Sequence, residues 1–156
     1  MSKVDYCNVA LAGLPQYELD RVQSVVNAAA RLMADAHKYD HVTQLLMDLH
    51  WLPVPQRIQY KSCVLVHDCL NGAVPGYLSN LTVSVASAAR RRLRSASISD
   101  LVVPSTRRAS IGDRVFAVAG PGSWNSLPPA LRSTSTSFTT FKKELKSFLF
   151  GLPFCL

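Results

Sequence analysis

Apolar side chains recur every three or four residues between positions 15 and 36, and this spacing constrains the fold more than any other feature of the chain. They are Leu19, Val22, Val26, Ala29, Ala30 and Met33. Polar residues fall between them, and Pro15 suits a first helical turn because its missing N–H has no intrahelical partner there. We therefore expect an amphipathic helix over residues 15–36. The small side chains of residues 27–30 should let another element approach closely.

Two further helices are expected in the first half. Asp40 is a suitable N-cap for a short helix over residues 41–50. Pro55 then starts a third helix, because proline is tolerated in a first turn. Its apolar stripe is Ile58, Ser62, Leu65, Val66 and Cys69. Residues 1–83 are therefore predicted to form a small helical bundle.

The second half has a different composition. Ser, Ala and Arg dominate residues 84–100, which should form an exposed basic linker. Residues 101–104 and 114–119 are β-prone runs that should pair as a short hairpin. Residues 120–122 are rich in glycine and should break the chain. Residues 123–129 should then form a compact aromatic loop.

The expected fold class is mostly α with a minor β element: a small helical bundle, then a basic linker, a short β-hairpin and a C-terminal helix. The hairpin and the last helix lie in a third region, residues 101–156, and Ser137 should cap that helix. Its buried face should consist of Phe138, Phe141, Leu145, Phe148 and Leu149. Its exposed side should carry Lys142, Lys143 and Lys146.

Positive charge is concentrated in the second half. Residues 1–89 hold six Lys/Arg and seven Asp/Glu, net −1, whereas residues 90–156 hold eleven Lys/Arg and three Asp/Glu, net +8; together they give +7. Such a field favours phosphate polyanions or acidic membranes, and guanidinium groups bind phosphates through forked hydrogen bonds. The candidate nucleic-acid-binding residues are Arg90, Arg91, Arg92, Arg94, Arg107, Arg108 and Arg114.

The aromatic residues and the arginine cluster each allow two interpretations. Phe116 and Trp124 could stack on exposed bases. However, Trp51 and Trp124 each lie in a Leu/Pro-rich turn, which favours core anchors over ligand platforms. The arginine cluster could equally be a solvated basic loop or a nuclear-import signal.

The sequence pattern gives no sign of a complete catalytic site. Polymerases and nucleases need at least two carboxylates close enough to bind a pair of divalent cations. Glu18 and Asp20 form the nearest doublet, but positions i and i+2 of a helix point to different sides. No phosphate-binding glycine loop or nucleophile elbow occurs. We therefore expect no enzymatic activity and no cofactor from this chain alone.

Zinc binding is a weaker hypothesis. Two pairs of residues spaced four apart could surround the ion if the helices brought them together. The residues are His37 with His41, and Cys63 with His67, with Cys69 nearby. Because the spacing matches no established ligand pattern, we favour the alternative that the cysteines are small core residues and the histidines lie at caps and surfaces.

The expected location is intracellular, in the nucleus or cytoplasm. Lys3 is followed by Asp5 and Asn8, which interrupt any apolar signal core. No stretch approaches the ~18 apolar residues that cross a bilayer, so no membrane partner is expected. The four cysteines lack a CxxC spacing and should stay reduced.

A series of short motifs runs in order through nearly the whole chain. Its members are Asp5-Tyr6-Cys7-Asn8, Gly13-Leu14-Pro15, Asn27-Ala28-Ala29-Ala30-Arg31-Leu32, His50-Trp51-Leu52-Pro53-Val54, Leu70-Asn71-Gly72, Pro75-Gly76-Tyr77-Leu78, Gly112-Asp113-Arg114, Trp124-Asn125-Ser126-Leu127-Pro128 and the ending from Phe141-Lys142 to Phe150. This series resembles the region after the polymerase core of non-LTR (LINE-type) retrotransposon reverse transcriptases, with the chicken-repeat and jockey-like groups most similar. The chain lacks the Arg-Leu pair that the family has before the tryptophan, which weakens any basic contact there.

The resemblance implies descent from an RNA-directed DNA polymerase whose catalytic Tyr-x-Asp-Asp segment would lie upstream of this region. The first half would correspond to the thumb or to the segment after the thumb, and the basic half to a region in contact with RNA or target DNA. We therefore expect a non-catalytic fragment that binds RNA or DNA with low specificity. The alternative is a truncated remnant, or a protein-interaction module that self-associates or binds a protein partner through its apolar tail, residues 148–156.

Overall fold

The computed structural model describes residues 8–85, 100–107, 112–132 and 137–154. Within these ranges the chain is mostly helical. The α-helices are α1 (Gln16–Met33), α2 (Val42–Asp48), α3 (Val54–Leu70), α4 (Gly76–Ser79), α5 (Phe116–Asn125) and α6 (Phe138–Phe154). Short 3₁₀ helices occupy Asn8–Leu11 and Pro129–Arg132. None of the helices in these ranges combines the length and the apolar character needed to span a membrane.

Helix α3 is the centre of the packing, because it contributes to two apolar cores. The first core contains Ala12, Val26, Ala30, Leu46, Val54 and Ile58. The second contains Leu52, Cys63, Val66, Leu101, Trp124, Leu127, Phe141, Leu145 and Leu149. Val54 and Ile58 of α3 therefore face the first core, while Cys63 and Val66 face the second. Helix α3 therefore connects the first core, formed mainly by helices before residue 84, to the second core, formed mainly by residues after residue 100.

The predicted helices of the first half are confirmed. Helix α1 begins at Gln16, directly after Pro15, and α3 begins at Val54 with Pro55 in its first turn. The predicted role of Asp40 is wrong. Its carboxylate accepts a hydrogen bond from the His37 N–H at 2.7 Å and so closes the preceding turn, while α2 begins after His41 without a side-chain cap.

Part of the predicted hairpin is wrong, because Phe116–Asn125 forms helix α5. Residues 120–122, expected to break the chain, lie inside this helix, as does the start of the predicted aromatic loop. A Cβ atom added to Gly120 would lie 2.7 Å from Cε2 of Phe116 and 3.1 Å from Cγ2 of Val66. The glycine therefore permits close contact between α5 and α3, and this packing outweighs the local β propensity.

The C-terminal helix has the predicted inner face in most respects. Phe141, Leu145 and Leu149 are buried at successive turns of α6, whereas Phe138 is 38% exposed. Residues 148–150 of the apolar tail belong to the fold, since Leu149 is buried and Phe148 and Phe150 pack against the second core, whereas Leu152 is 50% exposed. Lys143 and Lys146 are exposed, as predicted.

Ala30 tests the close packing of α1. It is fully buried in the first core, so the Ala30→Leu variant should overpack this site and lower the free energy of unfolding by about 1–3 kcal/mol. Ala34→Leu makes the same change at the exposed C-cap residue of the same helix and should shift it by less than about 0.5 kcal/mol. Urea denaturation measures both, and equal effects would contradict the packing described.

Candidate nucleic-acid interface

The two ends of the arginine-rich segment lie side by side. Ser84 and Leu101 form an isolated antiparallel bridge. The Val85 N–H donates to the Asp100 carbonyl at 3.0 Å, and the Val102 N–H donates to the Val83 carbonyl at 2.8 Å. The described residues that flank segment 86–99, which contains Arg90 to Arg94, are therefore paired with each other. We call the pairing of Ser84 and Val85 with Asp100 and Leu101 the base of the arginine-rich segment.

Asn125 fastens the base to helix α5. Its side-chain carbonyl accepts the Leu101 N–H at 2.9 Å, and its amide donates to the Leu101 carbonyl at 2.8 Å. The amide side chain thus satisfies both backbone groups of Leu101, as a neighbouring strand would. Leu101 itself is only 3% exposed and belongs to the second core. The base is consequently held by both hydrogen bonds and apolar packing.

An ion pair strengthens the same place. The Arg132 guanidinium, which is buried, donates to the Asp100 carboxylate. Asp100 directly precedes the bridge residue Leu101, and Arg132 is the last residue of the second 3₁₀ helix. Since its charge is paired and withdrawn from the surface, Arg132 is a structural cation and not a candidate phosphate ligand.

A hydrogen bond links the two stretches of chain that carry Arg107 and Arg114. The Thr106 hydroxyl donates to the Asp113 carboxylate at 2.6 Å, so the residues directly before the two arginines are joined. Arg107 is exposed. Arg114 is half-buried, and a Cβ atom added to Gly13, which has φ of +70°, would lie 3.2 Å from its Cγ. Arg107 is therefore the more accessible of the two to a phosphate.

The other candidate arginines lie outside the described residues. They are Arg90, Arg91, Arg92, Arg94 and Arg108. The structure defines the residues between which the segment that carries the first four begins and ends. Sequence reasoning missed Asn125 and Arg132 as the residues that hold this region. The ordered motifs did include Asn125, but nothing in its spacing indicated that it pairs with the backbone of Leu101.

The proposed aromatic stacking is wrong for Trp124. Its side chain is fully buried in the second core, with its ring centroid 5.8 Å from that of Phe141. Phe116 is half-buried and packs against the same core. The prediction that Trp124 anchors the core is confirmed, and half-buried Trp51 packs against the first core.

The zinc hypothesis gains no support from the described residues. They contain no group of three or more His, Cys, Asp or Glu side chains placed to hold a metal ion. Cys63 and Cys69 are buried, as the favoured alternative predicted. Burial raises the pKa of the Cys63 thiol to about 12, which opposes the thiolate form that zinc requires.

His67 is also a core residue, contrary to the expectation of a surface histidine. It is 3% exposed, and its ring stacks on Phe141 with the centroids 4.4 Å apart. The Asn71 amide donates to the His67 backbone carbonyl at 2.8 Å. Burial lowers the pKa of His67, and the nearby Asp68 carboxylate opposes this effect only in part.

Comparison with known proteins gives no further identification. The chain matches no family model, no curated protein and no solved structure.

Asn125 provides a test of how the base is held. The Asn125→Ala variant should leave the buried N–H and C=O groups of Leu101 without partners and reduce the free energy of unfolding by about 1–3 kcal/mol. Asn80 is exposed, and Asn80→Ala is the matched control with an expected change below about 0.5 kcal/mol. Urea denaturation measures both, and an unchanged Asn125→Ala midpoint would contradict the proposed anchor.

The lowered pKa of His67 predicts a pH dependence of stability. Below the ordinary histidine pKa of about 6.5, the unfolded chain binds a proton that the folded chain resists. This contribution to stability should therefore be fully present above about pH 6.5 and be lost progressively as the pH falls below that value. Urea midpoints across this range should show the loss, and His67→Gln should reduce it. His37→Gln, at an exposed site, should not; equal pH profiles for the two variants would exclude His67 as the cause.

Proposed function

We propose that this chain is a non-catalytic C-terminal fragment of a retrotransposon reverse transcriptase that binds RNA or DNA through its basic half. The observation that carries the proposal is the charge distribution, net +8 over residues 90–156 against net −1 over residues 1–89. A polyanion near such a chain is attracted to one part of it. Binding would release condensed counterions, which favours association with any phosphate backbone and explains a low sequence specificity.

The geometry of the base supports this proposal. The Ser84–Leu101 bridge fixes both ends of the arginine-rich segment, and Asn125 and Arg132 tie them to the folded part. Exposed Arg107 lies six residues beyond Leu101 and extends the basic region past the base. The buried Arg132–Asp100 pair accounts for one cation of the second half, so the remaining seven arginines and three lysines carry the positive field.

The lack of catalysis is likewise part of the proposal. Nucleotide transfer uses two carboxylates that hold a pair of metal ions. In the described part of the chain, Asp100 pairs with Arg132 and Asp113 accepts from Thr106. Glu18 pairs with Arg21 at 3.4 Å. These partners favour a structural use of the carboxylates over metal ligation.

Neutralising the four clustered arginines tests the proposal. The variant Arg90→Ala/Arg91→Ala/Arg92→Ala/Arg94→Ala should bind single-stranded RNA at least about tenfold more weakly than the unaltered chain at low salt. The dependence of log Kobs on log salt should also become shallower, by up to roughly 0.7 for each lost phosphate contact with a single strand. Fluorescence anisotropy with a labelled oligonucleotide measures both quantities.

The matched control removes the same amount of charge elsewhere. Its four substitutions lie in residues 1–89 and are Lys3→Ala, Arg21→Ala, Lys38→Ala and Lys61→Ala. It should retain most of the affinity if the arginines form the interface. Equal losses in the two variants would show a general charge effect, and an absence of binding by the unaltered chain would favour the solvated-loop interpretation.

A further inference from the structure

Helix α1 has an exposed side that is unusually poor in charge. Taking 100° of rotation per residue, six exposed positions lie on the side opposite buried Val26 and Ala30. They are Tyr17, Arg21, Ser24, Val25, Ala28 and Leu32. We call this set the α1 outer face. The solvent side of a helix is normally polar or charged, whereas this one carries a single charge.

The large apolar members of the α1 outer face are well exposed. Leu32 is 84% exposed, Tyr17 64% and Val25 59%. Ser24 and Ala28 are small and lie between them, so a second helix could approach the middle of the face closely. Apolar side chains set in one row, with small residues at the centre, are typical of a helix that packs against another helix.

The face is spaced symmetrically about the Ser24–Val25 peptide bond. Tyr17 and Leu32 each lie seven residues outside it (24 − 17 and 32 − 25), and Arg21 and Ala28 each lie three. An antiparallel copy centred on this bond would place Tyr17 against Leu32 and Arg21 against Ala28 of the second copy. Each large side chain would then meet an apolar or a small one. This is the self-complementarity that a two-fold interface requires.

The charges of α1 favour the same orientation. Its first half carries Glu18, Asp20 and Arg21, net −1, and its second half carries Arg31, net +1. Antiparallel pairing brings opposite charges together at both ends of the interface, and the two helix dipoles also oppose each other. Parallel pairing would set Arg21 against Arg21 and like ends against like ends. The charge pattern therefore selects an antiparallel second copy as the occupant.

From these observations we propose that two copies of this chain associate through the α1 outer face, with the two α1 helices antiparallel. An 18-residue helix is about 27 Å long, so one such face forms an interface at the small end of the known range, below roughly 1,200 Å² in total. The dimer is accordingly weak and depends on concentration. This route differs from self-association through the C-terminal tail, where Leu149 is buried and Phe148 and Phe150 pack against the second core.

Sedimentation velocity on the full, nucleic-acid-free chain tests the dimer. The weight-average mass should rise from 17.1 kDa towards twice that value between low micromolar and submillimolar concentrations. Leu32→Glu should weaken the association at least about tenfold while leaving the urea midpoint unchanged, because the site is exposed. Tyr39→Glu is the matched control: Tyr39 is 87% exposed but outside the face, and its variant should dimerise normally. A monomer at all concentrations, or equal behaviour of the two variants, would overturn the proposal.

Disulfide trapping tests the orientation. In a Cys7→Ser/Cys155→Ser background, Ser24→Cys places a thiol near the two-fold axis, and copper–phenanthroline with dissolved oxygen should link two copies. Tyr17→Cys should not link to itself in the antiparallel dimer, because its two copies lie at opposite ends. Efficient self-linking of Tyr17→Cys would indicate a parallel pair and overturn the stated orientation, as would failure of Ser24→Cys to link at concentrations where the dimer sediments.

Discussion

Burial of helix α3 on two sides is the constraint on which the described fold depends. Val54 and Ile58 enter the first core, and Cys63 and Val66 enter the second, so this helix contributes to both. Gly120 allows α5 to lie close against α3 at Val66. Helix α5 in turn holds Leu101 through Asn125. The position of Leu101, where the arginine-rich segment ends, is therefore traceable, contact by contact, to the central helix.

The described part of the second half contains both a structural cation, Arg132, and an exposed one, Arg107. Arg132 is buried and paired with Asp100, and its contribution is to hold the base. Counterion release depends mainly on how many cations come near phosphates and much less on one fixed geometry. The proposed interface therefore depends on the number of clustered arginines. The structure fixes the two ends of the segment that carries four of them, through the bridge at Leu101 and its anchor Asn125.

The periodicity of apolar residues was sufficient to predict the helices of the first half and the inner face of α6. The sequence-based predictions were wrong at residues whose type suits two different structural roles. Gly120 was interpreted as a chain breaker, but its missing side chain is what permits contact between α5 and α3. Asp40 was interpreted as a helix cap, but its carboxylate closes the preceding turn. The role of Asn125 depends on Leu101, 24 residues away, and no local pattern contains that information. The charge asymmetry was visible from the sequence, whereas the pairing of Arg132 with Asp100 was not.

The most direct test of the central claim is photocrosslinking of the unaltered chain to RNA that contains 4-thiouridine, followed by mass spectrometry of the linked peptides. The account predicts that the crosslinks concentrate in residues 90–114, beside the base at Leu101. Crosslinks that fall mainly within α1 to α3, or none above the level of a neutral control protein, would contradict it.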